Sequence, residues 1–137
     1  MSRTTAREVA MMLQFSGMLG GEDTPEHVLE KAGEIGKLEQ DDLTYIEEIQ
    51  SGVLQHEAQI DELISRYSKD WVIERIARVD LSILRVAIFE MLFRGKDVPT
   101  GAAINEAVEL AKRYGGERSY AFINGILSSV AREMESA

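Results

Sequence analysis

Arginine, methionine and aromatic side chains share one face of the first helical segment, and these residue types are suited to holding phosphate and a base or a protein partner. A rotation of about 100° per residue places Ala6, Val9, Ala10 and Leu13 on one side of that segment. The opposite side carries Arg3, Arg7 and Gln14 together with Met11, Phe15 and Met18. Two readings are open for this outer face. Either a later helix covers it as ordinary core, or it is a mixed surface whose arginines meet phosphate while its methionines and ring meet a protein or a base.

Residues able to catalyse a reaction form no comparable set. His27 and His56 are isolated, and neither stands three residues after a glutamate, so the Glu-x-x-His step of di-iron bundles is missing. Asp41-Asp42 and Glu47-Glu48 are adjacent pairs, which point in different directions on a helix and make no acid/base couple. No glycine-rich turn runs into Lys-Ser or Lys-Thr. The chain has no cysteine, which removes disulfides and thiolate chemistry. The expectation is a binding protein rather than an enzyme, with no catalytic residue, no cofactor and no metal.

The elements that must position these residues are helices. No run of alternating β-branched residues occurs, and both prolines fall near helix starts. Thr24 and Pro25 open one helix as cap and first helical residue, and Gly33 and Gly36 weaken its end. From about Asp41 to Tyr67 a longer helix carries Leu43, Ile46, Ile49, Val53, Ile60, Leu63 and Ile64 at helical spacing, with Gly52 as a bend. Val79 to Phe93 is apolar almost all round and reads as the centre of the domain. Ser82 and Arg85 continue from Arg78 as one narrow solvated seam. Thr100 is placed to cap the next helix, which ends at Tyr114-Gly115-Gly116 with glycine as the left-handed residue. In the last helix Phe122, Ile123, Ile126, Leu127 and Val130 are the apolar positions, and Gly125 calls for a close helix crossing.

A chain of 137 residues, 45% hydrophobic and 28% charged, can bury a core as one domain. Arg3, Arg7 and Glu8 interrupt any apolar leader, and no stretch approaches the roughly 20 apolar residues of a membrane span, so the expected location is the cytoplasm. The net charge of −9 is unevenly spread. Residues 1–20 carry 1 acid and 2 bases, residues 21–70 carry 14 and 4, and residues 71–137 carry 9 and 9. The acidity lies in the middle helices, which leaves the two ends able to form a surface for RNA despite a pI near 4.7.

From Trp71 to Val130 the order Arg75, "LRVAIFE", Val98-Pro99, "AINEAVELAK", a glycine corner and "FINGIL" resembles the NusB family of bacterial transcription antitermination factors. "TAREVAMMLQF" (Thr5 to Phe15) is similar to that family's first helix, and the middle matches by helix pattern alone. The resemblance implies an all-α, compact bundle of about seven helices in two packed subdomains, about 1–70 and 71–137 of a single NusB-like domain. It also implies binding of boxA RNA together with NusE, a ribosomal small-subunit protein, in a complex that reaches RNA polymerase through other Nus factors and promotes transcription of rRNA operons.

By position, the resemblance assigns Arg3, Arg7, Gln14, Arg118 and Phe122 to RNA, with Phe122 able to stack on a base, and Phe15, Glu74 and Asp80 to NusE. Thr4 and Thr5 stand where the family commonly has arginines, which thins the RNA-binding cluster and with it the number of phosphate contacts. The alternative is a diverged NusB-like helical adaptor that binds proteins only. Met11, Phe15 and Met18 are equally suited to a homodimer. Asn105 and Asn124 recur in the family's strings and read as packing residues, and Trp71 reads as an anchor between the subdomains.

Overall fold

The structure is a computed structural model and describes residues 2–31, 33, 37–69 and 72–136. Seven α-helices follow in order: α1 (Arg3–Met18), α2 (Pro25–Lys31), α3 (Gln40–Gln55), α4 (Glu57–Tyr67), α5 (Arg78–Phe93), α6 (Thr100–Tyr114) and α7 (Ser119–Ser136). A single 3-10 turn, Ile73–Arg75, leads into α5, and the described residues include no strand. The all-α architecture of about seven helices is therefore as expected.

The hydrophobic sequence of α5 decides the arrangement. Every residue from Asp80 to Met91 is buried, so this helix must be covered on all sides. Helices α1, α3, α4, α6 and α7 all pack on it. Outer helices pack on one another as well: α1 against α2 and α3, α6 against α7, and α7 against α4. At the start of α2, Thr24 Oγ1 accepts from the His27 amide at 3.2 Å, as its cap position predicts.

Several local expectations are corrected. The seam on α5 is solvated only at Arg78: Ser82 is buried and returns its hydroxyl to the Arg78 carbonyl, while α4 covers Arg85. Arg85 meets Asp61 through two hydrogen bonds of 2.9 and 2.7 Å and lies 3.0 Å from Glu57. The long middle helix is two helices, broken at His56 rather than bent at Gly52. His56 leaves helical geometry with φ −110° and ψ 17°, and its ring stacks on Phe93 with centroids 4.0 Å apart.

Gly52 serves packing instead, since a side chain there would run into the Phe89 ring. Thr100 is the first residue of α6 and gives no side-chain cap. Gly115 is extended, with φ −86° and ψ −177°. Glycine is needed there because a Cβ would lie 2.7 Å from the Ala111 carbonyl oxygen. Gly125 is exposed with open space where a side chain would go, so no helix crosses it. Asn105 and Asn124 are exposed rather than packed. Trp71 and Gly36 lie outside the described residues.

On the outer face of α1 the two readings divide by residue. Met11 is buried core, and Met12 and Met18 pack partly against it. Phe15 stays half-buried, and Leu19 just past the helix end is 60% exposed.

The Gly52–Phe89 contact gives a direct check on this packing. Gly52→Ala removes a helix-weakening glycine, yet the clash with Phe89 makes the variant less stable by about 1–3 kcal/mol in chemical denaturation. Adding Phe89→Leu to Gly52→Ala should make the two costs less than additive. A Gly52→Ala protein as stable as the parent would contradict the packing.

Candidate functional site

Two groups of candidate residues take shape, one at each end of α6. The first is built on Glu90, which is fully buried on α5 and faces α1 and α3. Arg7 donates from Nε to Glu90 Oε1 at 2.6 Å and from Nη2 to Oε2 at 3.0 Å, and the Tyr45 hydroxyl donates to Oε2 at 2.7 Å. Arg7 Nη1 also lies 3.3 Å from Glu106 on α6.

Burial by itself draws the Arg7 pKa down. The hydrogen bond and charge of Glu90, with Tyr45 and Glu106, outweigh it and leave the guanidinium more firmly charged than usual. The same burial, followed by the charge of Glu90, pushes the Tyr45 hydroxyl up. Arg7 thus stands in the interior, 5% exposed, with its donors directed at carboxylates. It positions α1 on the bundle.

Arg3, one turn earlier, is exposed. Its guanidinium carbon sits 4.0 Å from the centroid of the Tyr45 ring, and those of Arg7 and Arg94 lie 6.0 Å from the same ring. A shallow pocket of about 460 Å³ opens here between Arg3, Tyr45, Arg94, Pro99 and Glu106. Arg94 is partnered by Glu48 and by Asp97, the latter at 3.3 Å. Of these three guanidiniums, Arg3 is the one with no carboxylate partner among the described residues.

The second group lines a cleft of about 670 Å³ between the start of α5 and the start of α7. Arg75, Ile76, Asp80, Arg118, Ser119 and Phe122 form its walls. Arg75 and Arg118 are exposed and make no ion pair with another described residue. Phe122 is half-buried. Asp80 is 8% exposed: Ser119 Oγ donates to its Oδ2 at 3.1 Å, and its Oδ1 has no hydrogen-bond partner among the described residues. Burial raises the Asp80 carboxyl above the ordinary aspartate range, and the Ser119 hydrogen bond draws it partly back.

The structure therefore brings Arg118, Phe122 and Asp80 together and sets Arg3 apart from them. The pocket at Arg3 reaches Ala102 and Glu106 in the first half of α6, whereas Arg118 follows its far end. At 15 residues α6 is about 22 Å long. Gln14 lies further along α1, where its amide donates to Gln50 at 2.8 Å. Glu74 is exposed on the 3-10 turn. Phe15 borders a separate groove of about 440 Å³ with Met12, Leu19, Val28 and Lys31.

Sequence reasoning missed Tyr45, Arg94 and Ser119. Tyr45 carried a signal, since it falls among the inward positions of α3 as a polar aromatic that needs a buried partner. Arg94 and Ser119 carried none.

The NusB family model matches residues 2–132. The chain is 44% identical over 132 residues to the transcription antitermination protein NusB of Acetivibrio thermocellus, covering 96% of this chain and 90% of that one. It is similar to the structure of T. maritima NusB, with TM-score 0.83, 34% identity and coverage of 97% of this chain and 92% of the other. A structure of the antitermination factors NusB and NusE in complex with dsRNA also matches, at TM-score 0.77 and 27% identity, covering 96% of each chain.

Two outcomes are expected from this geometry. Glu90→Ala leaves the buried Arg7 cation with Glu106 as its one carboxylate among the described residues, so denaturant titration should show a loss of about 3 kcal/mol, and an unchanged midpoint would contradict the network. For Asp80 the sign follows from its raised pKa. The stability it contributes is full below the unfolded carboxyl value and is lost as pH rises through the higher folded value. Asp80→Asn, always neutral, should melt above the parent at pH 7, with the gap closing as pH falls toward about 4. A lower Tm at pH 7 would count against this.

Proposed function

The chain belongs to the NusB family, and from that premise we propose that it is a transcription antitermination factor that binds boxA RNA together with NusE. In this reading it acts in the cytoplasm and joins RNA polymerase through other Nus factors to promote processive transcription of rRNA operons. It is a binding factor, not an enzyme. No helix among the described residues is long and apolar enough to cross a membrane.

The observation that carries the reading is the cleft at the start of α7. There an exposed arginine just before α7 and a half-buried ring on that helix, Arg118 and Phe122, line the cleft together with Arg75, a second arginine that makes no ion pair with another described residue. Phosphate on guanidinium and base on ring is the chemistry of single-stranded RNA recognition. Arg3 adds a cation at the other end of α6, while Arg7 supports it from within. Phe15 with its groove, Glu74 and Asp80 are the proposed NusE contacts, and Leu19 lines the same groove as Phe15. The resemblance of the fold to NusB solved with NusE and dsRNA supports the pairing of these two partners.

One observation favours the protein-only adaptor. With Arg7 committed to Glu90 and Thr4 bonded to Glu106, the start of α1 offers RNA a single free arginine. The two readings part in a fluorescence anisotropy titration of labelled boxA RNA, with and without NusE, at several salt concentrations. An RNA-binding factor loses affinity in Arg3→Ala and in Arg118→Ala. Each variant also flattens the salt dependence by about 0.7 in log–log slope, the share of one phosphate contact on a single strand. RNA affinity unchanged in both variants, with NusE still captured, would establish the adaptor instead.

A further inference from the structure

An RNA that touches both Arg3 and Arg118 has about 22 Å of α6 to cross, and two surfaces flank that helix. The groove toward α1 is lined by Glu8, Glu106 and Glu109 beside Lys112 and Arg113. Its arginines are committed to its own acids, with Arg113 2.7 Å from Glu8 and Arg7 3.3 Å from Glu106. A polyanion entering there meets carboxylates. The surface toward α7 has the opposite character. From Arg118 to Arg132 the sequence contains no aspartate and no glutamate, in a chain whose net charge is −9. A basic protein partner finds no carboxylate on that stretch to pair with, whereas RNA meets none that repels it.

On this acid-free stretch Tyr120 is 45% exposed and meets α6, where Lys112 Nζ lies 5.7 Å from the centre of its ring. The Tyr120 hydroxyl has no hydrogen-bond partner among the described residues. Asn124 follows one helical turn later on the same face, exposed and bonded to no described residue. Neither side chain fills the core or makes a hydrogen bond to another helix.

Resting on the RNA-binding reading, we infer that single-stranded RNA runs from Arg118 along the surface shared by α6 and α7, with one base stacked on Tyr120, the Asn124 amide at that base's edge and Lys112 at its phosphate. Each group supplies one need of a single strand: a ring for the face of the base, an amide that both donates and accepts for its edge, and an ammonium for the backbone. Lys112 is able to change partner, because its contact with Glu109 is a loose 3.7 Å between two exposed side chains. Stacking on Tyr120 offsets part of what the thinned N-terminal cluster loses in phosphate contacts, and it carries no charge for salt to screen.

The test uses the full chain and labelled boxA RNA in fluorescence anisotropy. Tyr120→Leu keeps an apolar side chain without the ring and should bind about tenfold more weakly, the effect of losing one stacked base. Tyr120→Phe should stay within about twofold of the parent. Asn124→Asp places a carboxylate on the track and should weaken binding at low salt, with the deficit shrinking as salt screens it. The same charge at Ser51, exposed on α3, should leave affinity unchanged. Lys112→Ala should lower the log–log salt slope by about 0.7. RNA carrying 5-iodouridine, which couples on irradiation to a ring stacked on it, should attach to Tyr120 in the unsubstituted protein.

Tyr120→Leu binding like the parent, or Asn124→Asp binding no worse than Ser51→Asp, overturns the inference. So does a Tyr120→Leu protein that keeps its RNA affinity and loses NusE, since the ring then faces the protein partner. If Arg3→Ala and Arg118→Ala weaken binding while the Tyr120, Asn124 and Lys112 variants do not, the track alone fails. If none of these substitutions weakens RNA binding, the RNA-binding reading fails with it.

Discussion

A guanidinium held between helices by a carboxylate with no access to water is the constraint on which the rest of this structure depends. Glu90 lies on the one helix that is covered on every side, and a lone charge there would be untenable. Arg7 from α1 and the Tyr45 hydroxyl from α3 satisfy it, which fixes both helices against α5 at a defined height and rotation. Two consequences reach the surface. Arg3, one turn from Arg7, is delivered over the Tyr45 ring, and Arg94 at the end of α5 arrives beside the same ring. The geometry of the N-terminal cation thus depends on a buried interaction that touches no ligand.

The second end of the site is organised differently. Where Arg7 spends its charge on the interior, Arg75 and Arg118 lie at a cleft and make no ion pair with another described residue, and Asp80 there, like Arg94 at the other end, has one buried atom without a hydrogen bond among the described residues. The contrast separates scaffold from site. A fully bonded buried network specifies a fold, whereas exposed cations beside a cleft are placed to meet an anion. Helix α6 holds these ends about 22 Å apart, and the acidic run of residues 21–70 belongs largely to helices other than those carrying the cleft. A strongly acidic protein can in this way present local cationic points to RNA.

Much of the fold was legible because apolar periodicity is a direct consequence of burial. The near-continuous apolar run of α5 announced a central helix, and Thr24-Pro25 announced the start of α2. What periodicity did not convey was which polar residues are interior. Arg7 and Arg85 read as surface cations because nothing local reveals a glutamate 83 residues away or an aspartate 24 residues before. The glycines misled for a related reason. Gly52 and Gly115 are explained by what packs on them, Phe89 and the Ala111 carbonyl, and the contact at Gly52 joins separate helices. At the site, Arg118 and Phe122 came from motif strings. Their union with Asp80 came only from the approach of α7 to the start of α5.

The central claim is that RNA contacts the two ends of α6, with Arg7 acting from inside. Backbone amide NMR of the uniformly ¹⁵N-labelled protein during titration with boxA RNA tests it most directly. The account predicts shift changes at Arg3 and around Arg75, Ser119 and Phe122, with the acidic face of α3 silent. It further predicts that the Arg7 side-chain resonance stays in its buried, exchange-protected state throughout. Changes confined to Phe15 and Leu19, or exposure of the Arg7 guanidinium on binding, would contradict it.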